Sequence, residues 1–152
     1  MKPKTMNHPT VLSLTALLLT ACGPVQDTAP GQPVAHRQQA FKEILRRYEP
    51  MGIALRENRY DPEWFLQQAT ALNQHKDAPW PYFGPETNYP PSKSKETVWT
   101  NAEGFARERE TFLTAIEALQ QAAQTKEEQK VKPAYQSVQD SCRRCHKAFK
   151  AR

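Results

Sequence analysis

Residues 131–149 read VKPAYQSVQDSCRRCHKAF. Val131, Tyr135, Val138, Cys142, Cys145 and Phe149 follow one another at steps of four and three, the repeat of a helix face turned toward a core. That face carries Cys142-Arg143-Arg144-Cys145-His146. Two cysteines three apart followed at once by histidine is the attachment pattern of a c-type haem. Each sulfur can add to a haem vinyl group as a thioether, and the imidazole of His146 can ligate the iron. At about 100° per residue, Cys145 lies about 60° short of Cys142 and His146 about 40° past it, so an arc of roughly 100° holds all three. One helix face can therefore carry a single covalent haem c, with Cys142 and Cys145 as attachment points and His146 as axial ligand.

A Cys-x-x-Cys pair has other uses. A thioredoxin-like redox pair needs a strand and helix around it, and no strand signal is visible in this chain. Tetrahedral zinc needs a further Cys/His cluster. Beyond the first 21 residues the other candidates are Cys22, His36 and His75, which are scattered along the sequence.

Working back from this helix, the other end of the chain reads as a processing signal. Lys2 and Lys4 precede a short apolar run, Val11 to Ala21, which falls short of the roughly 20 residues a membrane span needs. The run closes Leu19-Thr20-Ala21-Cys22-Gly23, which resembles a bacterial lipobox, so residues 1–21 are expected to be removed and Cys22 to carry lipid. An ordinary secretory signal with an incidental Cys22 is the alternative. Gly23 lacks the aspartate that resembles an inner-membrane retention signal, which points to the outer membrane. The cysteines then divide without remainder, one for lipid and two for haem, and no structural disulfide is expected. Export and covalent haem both belong to the oxidising side of the cytoplasmic membrane, so the periplasm is the expected location.

Loss of Lys2 and Lys4 lowers the formal net charge from +5 to about +3. Lys and Arg are spread among acids, and no aromatic-interleaved basic stretch is present, so nucleic acid is not an expected partner. The mature chain of about 130 residues makes one domain. Residues 22–33, with three prolines and two glycines, read as a lipid-anchored flexible tether, and residues 34–152 as the folded domain.

Within that domain a first helix is expected from about Val34 to Glu49, with Ala40, Phe41, Ile44, Leu45 and Tyr48 as its stripe and Pro50 to Gly52 interrupting it. A second begins at Asp61 as N-cap and Pro62 at the first turn and runs to about Gln74. Residues 76–97 form a long proline-rich connection whose Trp80, Tyr82, Phe83 and Tyr89 argue for packing as a lid. A third helix, from about Val98 or Asn101 to Gln124, carries Phe105, Phe112, Ile116 and Leu119. After Thr125 to Gln129 comes the haem-bearing helix, with Pro133 expected in its first turn. Four helices joined by one long crossover, without strands, predict an all-α antiparallel four-helix bundle with the first and last helices as neighbours.

The whole domain now resembles cytochrome c′, the class II c-type cytochromes, in which Cys-x-x-Cys-His lies near the C-terminus. Arg37-x-x-x-Phe41 followed by Pro50-Met51-Gly52, Trp99 with Phe105, and Lys150 four residues after the histidine all resemble that family. The resemblance implies Arg37 beside a haem propionate, Phe41 over the distal face of the iron, and Lys150 on the proximal side. Phe41 has no lone pair, so the iron is expected to be five-coordinate and to bind nitric oxide or carbon monoxide, as a protection against nitrosative stress. The alternative is a periplasmic electron-transfer cytochrome with a sixth ligand. For that role Met51 is the nearby substitute, about 15 Å of helical rise from residue 41. No general acid or base is recognisable beside the haem, so an enzyme is not expected. A periplasmic electron donor and a homodimer through the first two helices complete the expected partners.

Overall fold

The structure is a computed structural model that describes residues 25–151. Its elements are α1 (Pro33–Arg56), α2 (Pro62–His75), a 3₁₀ turn (Trp80–Tyr82), α3 (Thr97–Thr100), α4 (Ala102–Gln124) and α5 (Glu128–Phe149). α3 is a single turn, so the framework is the expected four-helix bundle of α1, α2, α4 and α5. The signal region 1–21 and the lipidation site Cys22 lie outside the described residues.

Local chemistry sets three of the helix ends. The Asp61 carboxylate accepts from the Trp64 backbone N–H at 2.9 Å, and Pro62 occupies the first turn, where a missing N–H costs nothing. Asn101 caps α4 by accepting from the Gly104 N–H at 3.1 Å. α1 ends where Asn58 takes a left-handed φ of 54°.

Two prolines sit where the sequence reading does not put them. α1 does not stop at Glu49 but continues through Pro50 for a further turn and a half. Proline inside a helix costs roughly 3 kcal/mol. The continuation buries Met51 and Leu55, at about 1.5–3 kcal/mol each, together with Ala54, and so outweighs that cost. Likewise Pro133 is the sixth residue of α5 rather than part of its first turn. Both prolines are exposed, so the carbonyls they leave without a partner face water.

The core runs down the middle of the bundle through Met51, Phe65, Leu72, Ile116, Leu119, Val131 and Val138. α4 packs on α5, α2 on α4, and α1 on α2. α1 and α5 meet at one level, where the rings of Tyr48 and Tyr135 stack with centroids 4.3 Å apart and 3° between planes. There the Tyr48 hydroxyl donates to the Tyr135 carbonyl at 3.1 Å. Gly52 makes this approach possible, because a Cβ there would fall 2.0 Å from the Tyr135 hydroxyl.

The described part of the segment read as a flexible tether is docked instead. Asp27, 5% exposed, accepts from the N–H groups of Ala29 (3.1 Å) and Ala35 (3.0 Å) and from the Tyr89 hydroxyl (3.0 Å). One carboxylate thus ties the residues before α1 to the crossover. Proline and glycine content gave no hint of it, because the partners are far off in sequence.

Candidate haem site

The Tyr48–Tyr135 contact fixes the level from which the site is built. Seven residues back along α1 lead to Phe41, and seven forward along α5 lead to Cys142, each about 10.5 Å away and close to the same helix face. Because the two helices run oppositely, both steps go toward the same end of the bundle. His146 stands one turn further on.

The surroundings of Phe41 are built of rings. Phe41 meets Trp80 edge-on at 5.5 Å and Phe83 at 6.4 Å. Trp80 in turn meets Phe112 at 5.8 Å, Phe83 meets Phe105 at 5.0 Å, and Phe105 meets Phe149 at 5.3 Å. Six aromatic side chains therefore run from α1 across the crossover and α4 to the end of α5. Such edge-to-face pairs add about 0.5–1.5 kcal/mol each beyond simple burial. The Trp80 indole N–H is turned away to the Lys76 carbonyl at 2.8 Å.

On α5, Cys142 and Cys145 are half-buried. Burial pushes both thiols up, and Cys145, also facing the Glu108 carboxylate and Cys142, reaches about 11. Burial first, and then the Lys150 ammonium, lower His146 from its usual value. The shift favours the neutral imidazole, the form that gives a lone pair to a metal. Two cysteine sulfurs and an exposed imidazole on one arc of α5, at the same end of the bundle as the aromatic wall, fit a porphyrin with two vinyl groups and an iron centre. When bound, that group supplies an iron atom able to take a diatomic ligand.

The crossover holds both sides of the site. Its residues 93–97 close the end of α5: Lys95 N–H donates to the Phe149 carbonyl (2.9 Å), Thr97 Oγ1 to Ala148 (2.9 Å) and Lys95 Nζ to Lys147 (2.8 Å). The Ala151 N–H donates back to Lys93 at 2.8 Å. Three of the carbonyls that a helix end normally leaves to water are satisfied this way, which steadies the turn bearing His146. Lys150 stands directly after that turn, its side chain exposed.

Arg37 sits one turn before Phe41, as the sequence implies, and is 3% exposed. Its partners are the crossover: Nη1 donates to the Tyr82 carbonyl (3.0 Å) and Thr87 Oγ1 (2.9 Å), and Nη2 to the Thr87 carbonyl (2.9 Å) and Ser92 Oγ (2.6 Å). Its guanidinium carbon lies 4.9 Å from the centre of the Phe83 ring. Sequence reasoning missed this role, and also the closure of α5 by residues 93–97. The density of aromatic residues in 76–97 was the available signal for the first.

A Cys-x-x-Cys-His motif on the last helix of an antiparallel bundle places the chain among the bundle-type haem proteins, apart from those whose attachment motif comes first. A family model described as Cytochrome C′ matches residues 32–150. The cytochrome c′ of Rubrivivax gelatinosus is 26% identical over 123 residues, 80% of this chain and 95% of the relative. That of Alcaligenes xylosoxydans xylosoxydans is 25% identical over 126 residues, 82% and 98% of the two chains. Among solved structures, the Rubrivivax gelatinosus protein superposes with a TM-score of 0.76 at 25% identity, covering 82% of this chain and 99% of its own. A nitric oxide complex of an Alcaligenes xylosoxidans variant, in which one leucine is alanine, gives 0.77 at 25% identity, covering 82% and 98%. The chain belongs to the cytochrome c′ family and carries one covalently bound haem c.

Proposed function

We propose that this protein binds nitric oxide, and carbon monoxide, at a five-coordinate haem iron on the Phe41 side, and that it serves as a trap for nitric oxide. The observation that carries this reading is the make-up of the distal wall. Phe41, Trp80 and Phe83 present hydrocarbon, and the one polar atom of the three, the Trp80 indole nitrogen, is occupied by the Lys76 carbonyl. A wall of this kind supplies no sixth ligand and no hydrogen bond to hold a polar one, yet admits a small apolar gas. Solved cytochrome c′ structures with nitric oxide bound, such as a ferrous Alcaligenes xylosoxidans variant with a TM-score of 0.77, support the assignment by likeness.

Cys142 and Cys145 form the thioethers in this reading, His146 is the axial ligand, and Lys150 lies on the proximal side. Electron transfer with a protein sixth ligand is disfavoured: Met51, the candidate sulfur, is fully buried in the core and about 15 Å of rise from Phe41 along an unbroken helix. The protein is further proposed to reside in the periplasm, held by lipid on Cys22 at the outer membrane, to receive electrons from a periplasmic donor, and to limit nitrosative damage there. A homodimer through α1 and α2 is supported by Leu45 and Ile53, large apolar side chains left 43% and 42% exposed on α1. The test is the absorption spectrum of the ferrous protein. A high-spin spectrum that converts on adding nitric oxide supports the reading, and a low-spin spectrum that is lost in Met51→Ala overturns it.

A further inference from the structure

Arg37 is the one buried cation among the described residues that has no carboxylate partner within ion-pair distance. A guanidinium is strongly disfavoured away from water unless its donors are satisfied. Here four donations, all to residues 82–92, supply that satisfaction. They span the eleven residues 82–92 of a segment with little regular structure, whose other hydrogen-bond ties to the rest of the fold are made by Gln38, Trp99 and Tyr89.

The clamped segment is the one that furnishes the distal wall. Phe83 follows directly on the Tyr82 carbonyl that Arg37 grips, and its ring lies beneath the guanidinium. Trp80 is two residues before that carbonyl and stacks with Phe83 at 6.0 Å. Thr87 Oγ1, itself bonded to Arg37, also donates to the Gly84 carbonyl at 2.8 Å and closes the turn after Phe83. Gly84 is fixed from the other side by the Trp99 indole N–H, again at 2.8 Å. From α1, the same helix face thus supplies both the distal ring, Phe41, and the cation that holds the neighbouring rings against it.

We propose that Arg37 is a positioning residue for gas entry: by clamping residues 82–92 it keeps Trp80 and Phe83 packed on Phe41, and so sets how fast a diatomic ligand reaches the distal face. The inference rests on the gas-binding reading above. It differs from the propionate role implied by resemblance, because the acceptors are crossover oxygens of the chain itself.

The test compares holoprotein variants Arg37→Gln and Arg37→Lys with Thr87→Val and Ser92→Ala, which remove acceptors and leave Arg37 in place. Two readouts are taken: amide hydrogen exchange across residues 80–92, and carbon monoxide rebinding to the ferrous protein after flash photolysis. Losing even one charge-assisted bond of the clamp should speed exchange in this segment by about tenfold. Arg37→Gln is expected to show that acceleration together with a faster carbon monoxide association rate and an unchanged dissociation rate. Thr87→Val and Ser92→Ala should follow in part, and Arg37→Lys should lie between. Unchanged exchange in Arg37→Gln overturns the clamp. Faster exchange with an unaltered association rate overturns its control of entry, as does a shifted reduction potential with neither readout moved, the mark of a propionate partner alone. If the unaltered protein takes up no carbon monoxide, the gas-binding reading fails and control of entry fails with it, while the exchange data still decide the clamp.

Discussion

Replacing Gly52 with alanine should destabilise this protein, although at an exposed helix interior the same change stabilises by about 0.8–1 kcal/mol. The reason is the close approach of α1 to α5 at Tyr48, Gly52 and Tyr135. An added Cβ would lie 2.0 Å from the Tyr135 hydroxyl, 2.8 Å from its ring carbon Cζ and 3.3 Å from Arg56 Nη1. Tyr135 cannot step aside freely: it is 9% exposed, its ring is stacked on Tyr48, and its carbonyl holds the Tyr48 hydroxyl. Overpacking costs about 1–3 kcal/mol, and disturbing the stacked pair a further ~1 kcal/mol. Set against the propensity gain, the net loss is about 2 kcal/mol, or a fall in melting temperature of roughly 8 °C for a domain of this size. Guanidinium and thermal unfolding of the holoprotein, followed by far-UV circular dichroism, measure it. The companion variant Gly52→Ala/Tyr135→Leu has room for the methyl group, so the two changes should be less damaging together than their separate costs sum to. A Gly52→Ala protein as stable as the parent, or strictly additive losses, would refute the close-approach argument.

Other outcomes follow from the same geometry. Phe41→Met offers a sulfur at the distal position, and the ferrous spectrum should become low-spin with slower nitric oxide uptake; a spectrum that stays high-spin would show that residue 41 does not face the iron. Cys142→Ala and Cys145→Ala should each leave one thioether and shift the reduced pyridine-haemochrome band to longer wavelength, whereas an unshifted band would mean that sulfur is not attached. Asp27 is subject to desolvation, which raises its pKa, but the N–H groups of Ala35 and Ala29 and the Tyr89 hydroxyl outweigh it and hold it below the ordinary 3.8. A depressed carboxyl pKa stabilises the fold above its unfolded value, and that share is lost as pH falls through the lower folded value. Protection of the Ala29 and Ala35 amides, measured relative to their intrinsic exchange rates at each pH, should therefore fall only below pH 3.8, and a loss of protection beginning above that value would contradict the docking.

Much of this was legible in the sequence because it is periodic or strictly local. The α5 stripe, the Asp61 and Pro62 start and the Cys-x-x-Cys-His turn each depend on neighbours within a few residues. What escaped depends on distant partners. Whether Pro50 ends a helix is decided by the burial of Met51 and Leu55 against the rest of the bundle. The grip of Arg37 on the crossover escaped because its acceptors, two of them backbone carbonyls, lie 45 to 55 residues away and carry no sequence mark. The docking of Asp27 on Tyr89, 62 residues off, escaped for the same reason.

The central claim is an iron held by His146 from one side and faced by Phe41 on the other. Absorption spectroscopy of the purified ferrous protein, before and after nitric oxide, tests it most directly. The account predicts a high-spin, five-coordinate spectrum that converts fully to a nitrosyl form. A low-spin, six-coordinate ferrous spectrum that nitric oxide leaves unchanged would contradict it.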